Sequence, residues 1–452
     1  MNKKIKANMT EGNITKLLTR LTLQMMVGMI SMIIFNMVDT FYIGQLGKNE
    51  LAAMSFTFPV VLVVQSIALG LGMGTASVVS RAIGQGDSSK VKRLSTDALF
   101  LAGIIVAIAA ITGELTIEPL FSLLGADAVT LPLIKEYMRI WYIGVIFVVF
   151  PMVGNNIIRA TGDMKTPALI MTFAAIANMI LDPFLIFGIG PFPEMGLAGG
   201  ALATVIGRAF TLIFAIIILI KRELVTLKKL TIKELFTSWK QILYIGVPAA
   251  LTRIVDPLTM GVITRMVSIF GTAAIAGFGV ATRLEMIALL LIRSLAAVMI
   301  PFTGQNLGKG NTNRISEALK KGFRFSLLWS VFTFLAFYFT GDFLAGLFNK
   351  DPVVISTVVA YIRIIALTYG FQGMLVLSAA VLNAMSKPIH AIILSLFRLL
   401  GLYIPLAILG SGIFGLKGIF AGGAIANLVS GILAGVVVIW IIKTIDLRQR
   451  LS

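Results

Sequence analysis

The segment ALIMTFAAIANMILDPFLIFG, Ala168 to Gly188, sets a polar pair, Asn178 and Asp182, into an otherwise largely apolar run. Four residues apart, the two lie one above the other on a single face of a helix. A carboxylate at that depth in a membrane costs roughly 2.5 to 3.5 kcal/mol on insertion scales, so it belongs against a cavity or partners rather than lipid. The pair reads as the working site of a transporter.

Composition carries the membrane half of that reading. The chain is 58% hydrophobic and 13% charged over 452 residues, with a mean hydropathy of +0.97. A single soluble core could not bury such a balance. The start, MNKKIKANMTEGNITK, is polar and basic, so no cleavable secretory signal is expected and the first apolar run is retained as a span. With no cysteine and a single histidine, His390, thiol chemistry and multi-histidine metal centres are excluded. His390 follows Lys387-Pro388 and reads as interfacial.

Apolar runs long enough to cross a bilayer fall near 17–43, 51–82, 94–118, 132–158, 166–188 and 196–220, then near 241–270, 273–304, 318–341, 354–385, 388–411 and 416–442. The chain is therefore expected to be an all-α integral membrane protein of twelve spans. A first lobe over 1–220, a basic cytoplasmic linker over 221–240 and a second lobe over 241–452 are the expected divisions. Lys and Arg cluster in the tail, from Arg81 to Arg93, in the linker and from Lys309 to Arg324, whereas the alternate loops hold only Lys48, Lys135, Lys350 and Lys417. By the positive-inside rule both termini are cytoplasmic, in the inner membrane. The net charge of +18 is explained that way, and no nucleic-acid partner is expected.

One offset aligns the halves. Gly47 and Gly271, Gly86 and Gly310, Asp127 and Asp351, Tyr137 and Tyr361, and Arg139 and Arg363 are all 224 residues apart. Six spans separate them, an even number, so the halves share an orientation and form two pseudo-symmetric six-helix lobes facing a central cleft. The acids break the symmetry. Asp39 corresponds to Ile263, and Asp182 to an apolar or tyrosine position between Leu402 and Leu406. A role confined to the first lobe follows.

The segments FNMVDTFYIGQLG, GLGMGTASVVSRAIGQGD, RATGDMKTP, NMILDPFLIFGIG and GLAGGALAT, with GFGVATRLE and GQNLGKGN in the second half, resemble the MATE family of multidrug and toxic compound extrusion transporters. The pattern is most similar to the DinF-like branch, with an Asp in the first helix and Asn-x-x-x-Asp-Pro in the fifth, positions filled here by Asp39, Asn178 and Asp182. The resemblance adds Thr204 of the sixth helix, allowing for the insertion Pro191-Phe-Pro-Glu194. It also departs from the pattern. Gln24 stands where the branch usually has proline, which puts a proline-driven bend of the first helix in doubt. In the NorM-like branch, coupling involves acids of the seventh and tenth helices. Asp256 fills the first of those positions and Gln372 replaces the second, leaving both as secondary candidates.

Asp39 and Asp182, brought together, would titrate as a coupled pair able to load and release a proton. With the amide oxygen of Asn178 and the hydroxyl of Thr204 they also form an all-oxygen cage suited to sodium. Proton and sodium both remain open as coupling ion, with no other cofactor expected. Elsewhere, Arg253 and Asp256 have the spacing of an internal ion pair, and Arg283 and Glu285 read as structural. Gly70, Gly72 and Gly74 have no strand before them, so close helix packing explains them better than a nucleotide loop. Met25, Met26, Met29 and Met32 could line an adaptable cleft wall for apolar substrates.

The resemblance implies secondary antiport: an organic, cationic and amphipathic compound leaves while a proton or sodium ion enters. The protein is expected to work as a monomer among membrane lipids. No Walker motif is present, and no nucleophile-base pair or ligand cluster suggests an enzyme. The alternative from another class is a flippase for a lipid-linked oligosaccharide or peptidoglycan precursor, built on the same superfamily scaffold.

Overall fold

The computed structural model describes residues 8–226 and 231–451. Every regular element among them is helical. The first six are α1 (Ile14–Leu46), α2 (Lys48–Gly84), α3 (Ser88–Leu123), α4 (Thr130–Ala160), α5 (Lys165–Phe187) and α6 (Gly196–Lys221). Then come α7 (Ile232–Ser268), α8 (Thr272–Ala288), α9 (Leu290–Gly308) and α10 (Thr312–Phe348). After these lie α11 (Pro352–Ile365), α12 (Tyr369–Ala384), α13 (Pro388–Leu396) and α14 (Ile404–Leu451).

Three joins and one bend reconcile these helices with twelve crossings. Helices α8 and α9 share one span, broken only at Leu289, and a 3₁₀ turn at Ala366–Thr368 joins α11 to α12 within another. A π-helical stretch, Phe397–Tyr403, carries α13 into α14. Helix α14 in turn divides at Gly415, whose φ of 59° and ψ of −138° only glycine adopts without strain. Without that bend two spans would run on as one rod.

The chain forms two contact units, one built on Leu23–Ala250 and the other on Met9–Thr22 with Leu251–Ser452. In the first, α4 packs against α2, α3 and α6, and α5 against α6. Its core centres on Trp141, Tyr142, Ile157 and Phe121. In the second, α8 packs on α11, and α12 on α9, α10 and α14. Phe278, Tyr361 and Phe420 make its aromatic centre, with Tyr361 edge-on to both phenylalanines. Outward faces are apolar, as at Leu115, Ile143 and Phe339, which is the surface lipid rather than water would cover.

The internal repeat is visible atom by atom. Asp87 caps α3 by accepting from the Lys90 amide, and Asn311 stands at the same place before α10. Asp127 accepts from the Thr130 amide and Asp351 from that of Val353. Arg139 pairs with Glu114 at 3.0 Å, and its counterpart Arg363 with Asp342 at 2.8 Å. Corresponding arginines therefore brace corresponding helix pairs, on acids that stand one turn apart in the repeat.

The basic stretch 221–240 is less of a connector than its charge suggests. Residues 227–230 lie outside the described residues, but α7 already begins at Ile232. Arg222 pairs with Asp163 at 2.6 Å, Lys92 with Glu223 at 2.8 Å, and Arg93 with Glu234 at 3.1 Å. Trp239 donates to the Asp97 carbonyl and stacks on Phe100. The Glu234 and Trp239 contacts hold the start of α7 against α3.

Candidate functional site

Helices α1, α4, α5 and α6 of the first unit build the site. Ser31 of α1 and Thr172 of α5 share a hydrogen bond at 2.8 Å, and farther along the same helices the Tyr42 and Phe187 rings meet edge to face. Gly207 brings α6 onto α5: a side chain there would press within 3.2 Å of both the Ala174 carbonyl and the Asn178 Cβ. That close approach sets Thr204 and Arg208, one turn apart on α6, beside Asn178.

The structure brings together the residues expected to act together. Asp39 is 8% exposed, Asn178 2% and Asp182 not at all. Asp39 and Asp182 lie within electrostatic reach of each other and of the buried Tyr137 of α4. The Asn178 amide lies beside Asp182 without closing a hydrogen bond to it. Asp39 Oδ1, both carboxyl oxygens of Asp182 and both amide atoms of Asn178 are buried with no partner. Native proteins rarely leave so many buried polar atoms unmatched in one place. The four oxygens of this group await something that supplies protons or positive charge, and the Asn178 Nδ2 awaits an acceptor.

Beside Asn178, toward the middle of α6, runs a narrow crevice lined by Met32, Phe35, Met171, Asn178, Thr204 and Arg208 among others. Its free volume of about 10 Å³ suits roughly one water molecule. Arg208 holds its guanidinium 5.6 Å over the Phe35 ring, a cation–π arrangement. Of the four methionines considered from the sequence, Met32 lines this crevice. Met25 is buried in the packing, and Met26 and Met29 are half-buried nearby on α1.

Sequence reasoning missed Tyr137 and Arg208 as members of this site. Tyr137 was legible only as one of a repeated pair, and its counterpart Tyr361 also faces an acid, donating to Glu285. Arg208 had a signal in plain view: a lone charge near the centre of an apolar helix.

The secondary candidates lie in the other unit. Asp256 is about half exposed and pairs with Arg398 at 3.6 Å, rather than with Arg253 as the spacing on α7 suggested. Arg398 is fixed for that role by donating to Asn427, which donates in turn to Thr368. Gln372 is buried, with its Oε1 unpartnered. Among the described residues no cluster of three acidic, histidine or cysteine side chains could hold a metal ion.

A twelve-span helical fold with unmatched carboxyls buried in one half is that of a membrane transporter. The chain belongs to the MatE family, whose model matches residues 25–184 and again 248–409. The double match falls on the two halves of the repeat. It is 40% identical to the "FAD transporter" of Shewanella oneidensis over 93% of either chain. It is 27% identical to the "Probable multidrug resistance protein YpnP" of Bacillus subtilis, over 91% of this chain and 92% of that one. Among solved structures, the Vibrio cholerae MATE transporter VcmN in the bent form superposes with a TM-score of 0.89 at 29% identity, covering 96% of this chain and 97% of that one.

Proposed function

We propose that the protein is a secondary active exporter of organic compounds, in which a proton or sodium ion moving inward occupies the site of Asp39, Asn178, Asp182 and Thr204. One observation carries this reading: Asp39 Oδ1, both carboxyl oxygens of Asp182 and the amide oxygen of Asn178 are buried with no partner. A proton or monovalent cation satisfies them, and a cation bound there holds α1, α5 and α6 in one arrangement. Coupling requires that the ion favour one state of the transporter over the other. The pattern of acids supports the DinF-like branch. The distribution of Lys and Arg supports cytoplasmic placement of both termini.

Two cargo readings have support. The Bacillus subtilis relative's name supports organic, cationic and amphipathic drugs. The Shewanella oneidensis relative, at the higher identity of 40%, supports FAD. Proteoliposomes loaded with a fluorescent organic cation or with FAD, and given a proton or a sodium gradient separately, test both. Export under one gradient, abolished in Asp39→Asn and Asp182→Asn, supports the reading and names the ion. Undiminished export in both variants would overturn the site, and Asp256 with Gln372 would become the place to look.

A further inference from the structure

Arg208 is the charge at this site that the protein itself leaves uncompensated. It stands near the middle of α6, with about as much helix before it as after. No carboxylate comes within ion-pair distance of it among the described residues, although other cations of the chain, Arg93, Arg222 and Arg398 among them, reach acids. Asp39 and Asp182 lie about a turn farther along their helices than Phe35 and Asn178, which line the crevice beside Arg208. A guanidinium at that depth is costly unless something pairs with it.

Its surroundings are built to orient an anion. The Phe35 ring under the guanidinium restrains its plane, leaving the planar fork of N–H donors free to engage two oxygens at once. Asn178, 2% exposed and lining the same crevice, has its Nδ2 without an acceptor. Thr204 lies one turn away on the Arg208 helix and lines the crevice too. The free space suits one oxygen-sized group, and the flexible thioethers of Met32 and Met171 are the walls that a larger body would displace.

We propose that Arg208, seated on Phe35 and assisted by Asn178, is the specificity-determining residue that binds a phosphate group of the substrate. The inference rests on the exporter reading and deepens it by naming the chemical feature of the cargo that the site recognises. A purely cationic cargo would meet a like charge here.

Binding measured without any gradient separates this inference from the transport reading. Purified protein in lipid nanodiscs is titrated with FAD, FMN and riboflavin, which share the ring while riboflavin lacks phosphate, and flavin fluorescence anisotropy follows the binding. The native protein should bind FAD and FMN at least about tenfold more tightly than riboflavin. Arg208→Gln should erase that preference, and Arg208→Lys, which keeps the charge but loses the fork, should fall between. In proteoliposomes Arg208→Gln should raise the KM for FAD by about tenfold or more, with a smaller effect on kcat. Equal native affinity for FAD and riboflavin, or no native binding of either phosphate-bearing flavin, would overturn the inference even if a cation were exported through Asp39 and Asp182. An unchanged preference in a folded Arg208→Gln protein would do so as well. Conversely, phosphate-selective binding with no export under either gradient would uphold the site and sink the exporter reading.

Discussion

Asp182 stands one turn beyond Asn178 on the buried face of α5, and none of the four polar side-chain atoms of the two residues has a hydrogen-bond partner. Leaving a buried polar group unmatched costs about 1 to 3 kcal/mol, so the arrangement is poor as scaffolding and sensible as a binding site. Asp182→Asn keeps the shape and removes the group that can gain or lose a proton. Thermal stability is expected to stay within about 1 kcal/mol of native, because one unmatched polar group replaces another. Gradient-driven export should fall by about tenfold or more. A melting curve beside a transport assay checks both, and an active Asp182→Asn protein refutes the assignment.

Tyr137 gives a finer test. Its phenol is buried within electrostatic reach of both Asp39 and Asp182, yet it is not one of the acids. Tyr137→Phe should change the concentration of coupling ion needed for half-maximal export several-fold and leave the maximal rate closer to native. A uniform fall in rate with no change in ion dependence would mean that the hydroxyl serves packing alone.

Much of the fold was legible because it is written in simple periods. Apolar length marks the spans, and pairs such as Asp127 with Asp351 and Tyr137 with Tyr361 mark the repeat. The acids of the site were legible because charge is rare in lipid. Other features depend on approaches that no linear spacing encodes. Asp256 meets Arg398, far along the chain, rather than Arg253 nearby. Membership of Tyr137 in the acid site requires α4 to be placed against α1 and α5. The start of α7 at Ile232 is hidden by the basic residues around it, and the acids of the same stretch, Glu223 and Glu234, pair with Lys92 and Arg93 of α3 while Arg222 pairs with Asp163.

The glycines of α2 act through proximity. A side chain at Gly74 would come within 2.3 Å of the Ile242 carbonyl on α7, and one at Gly70 within 2.4 Å of that of Gly246. Backbone cannot yield as a flexible side chain can. Gly74→Ala is expected to destabilise the protein by about 1 to 3 kcal/mol through overpacking, lowering its melting temperature in detergent. A melting temperature equal to native would show that α2 and α7 separate freely.

The N-terminal strap is held by its backbone. Arg314 donates to the Glu11 and Gly12 carbonyls at 2.8 Å each, Gln305 accepts from the Met9 amide at 3.0 Å, and Asn306 donates to the Met9 carbonyl at 3.1 Å. This gives the GQNLGKGN segment a concrete task in the second unit. Arg314→Ala should speed amide exchange over residues 9–13 by about tenfold or more while leaving α12 unchanged. Equal exchange rates in the two proteins would show that Gln305 and Asn306 suffice.

Asp127, in the loop between α3 and α4, offers a pH test away from the membrane interior. The Thr130 hydroxyl and the amides of Thr130 and Val129 donate to its carboxylate, and these bonds hold its pKa below the ordinary carboxylate value. A lowered folded pKa means that the unfolded chain binds the proton more readily. The stabilisation is therefore fully present above the ordinary carboxylate pKa, about 4, and is lost as pH falls through the lower folded value. Asp127→Ala should melt below native at pH 7 and at pH 5 by similar margins, and the margin should close progressively below about pH 4. A margin that is constant down to strongly acidic pH would assign the effect to chain geometry at the start of α4 instead of to the ionised cap.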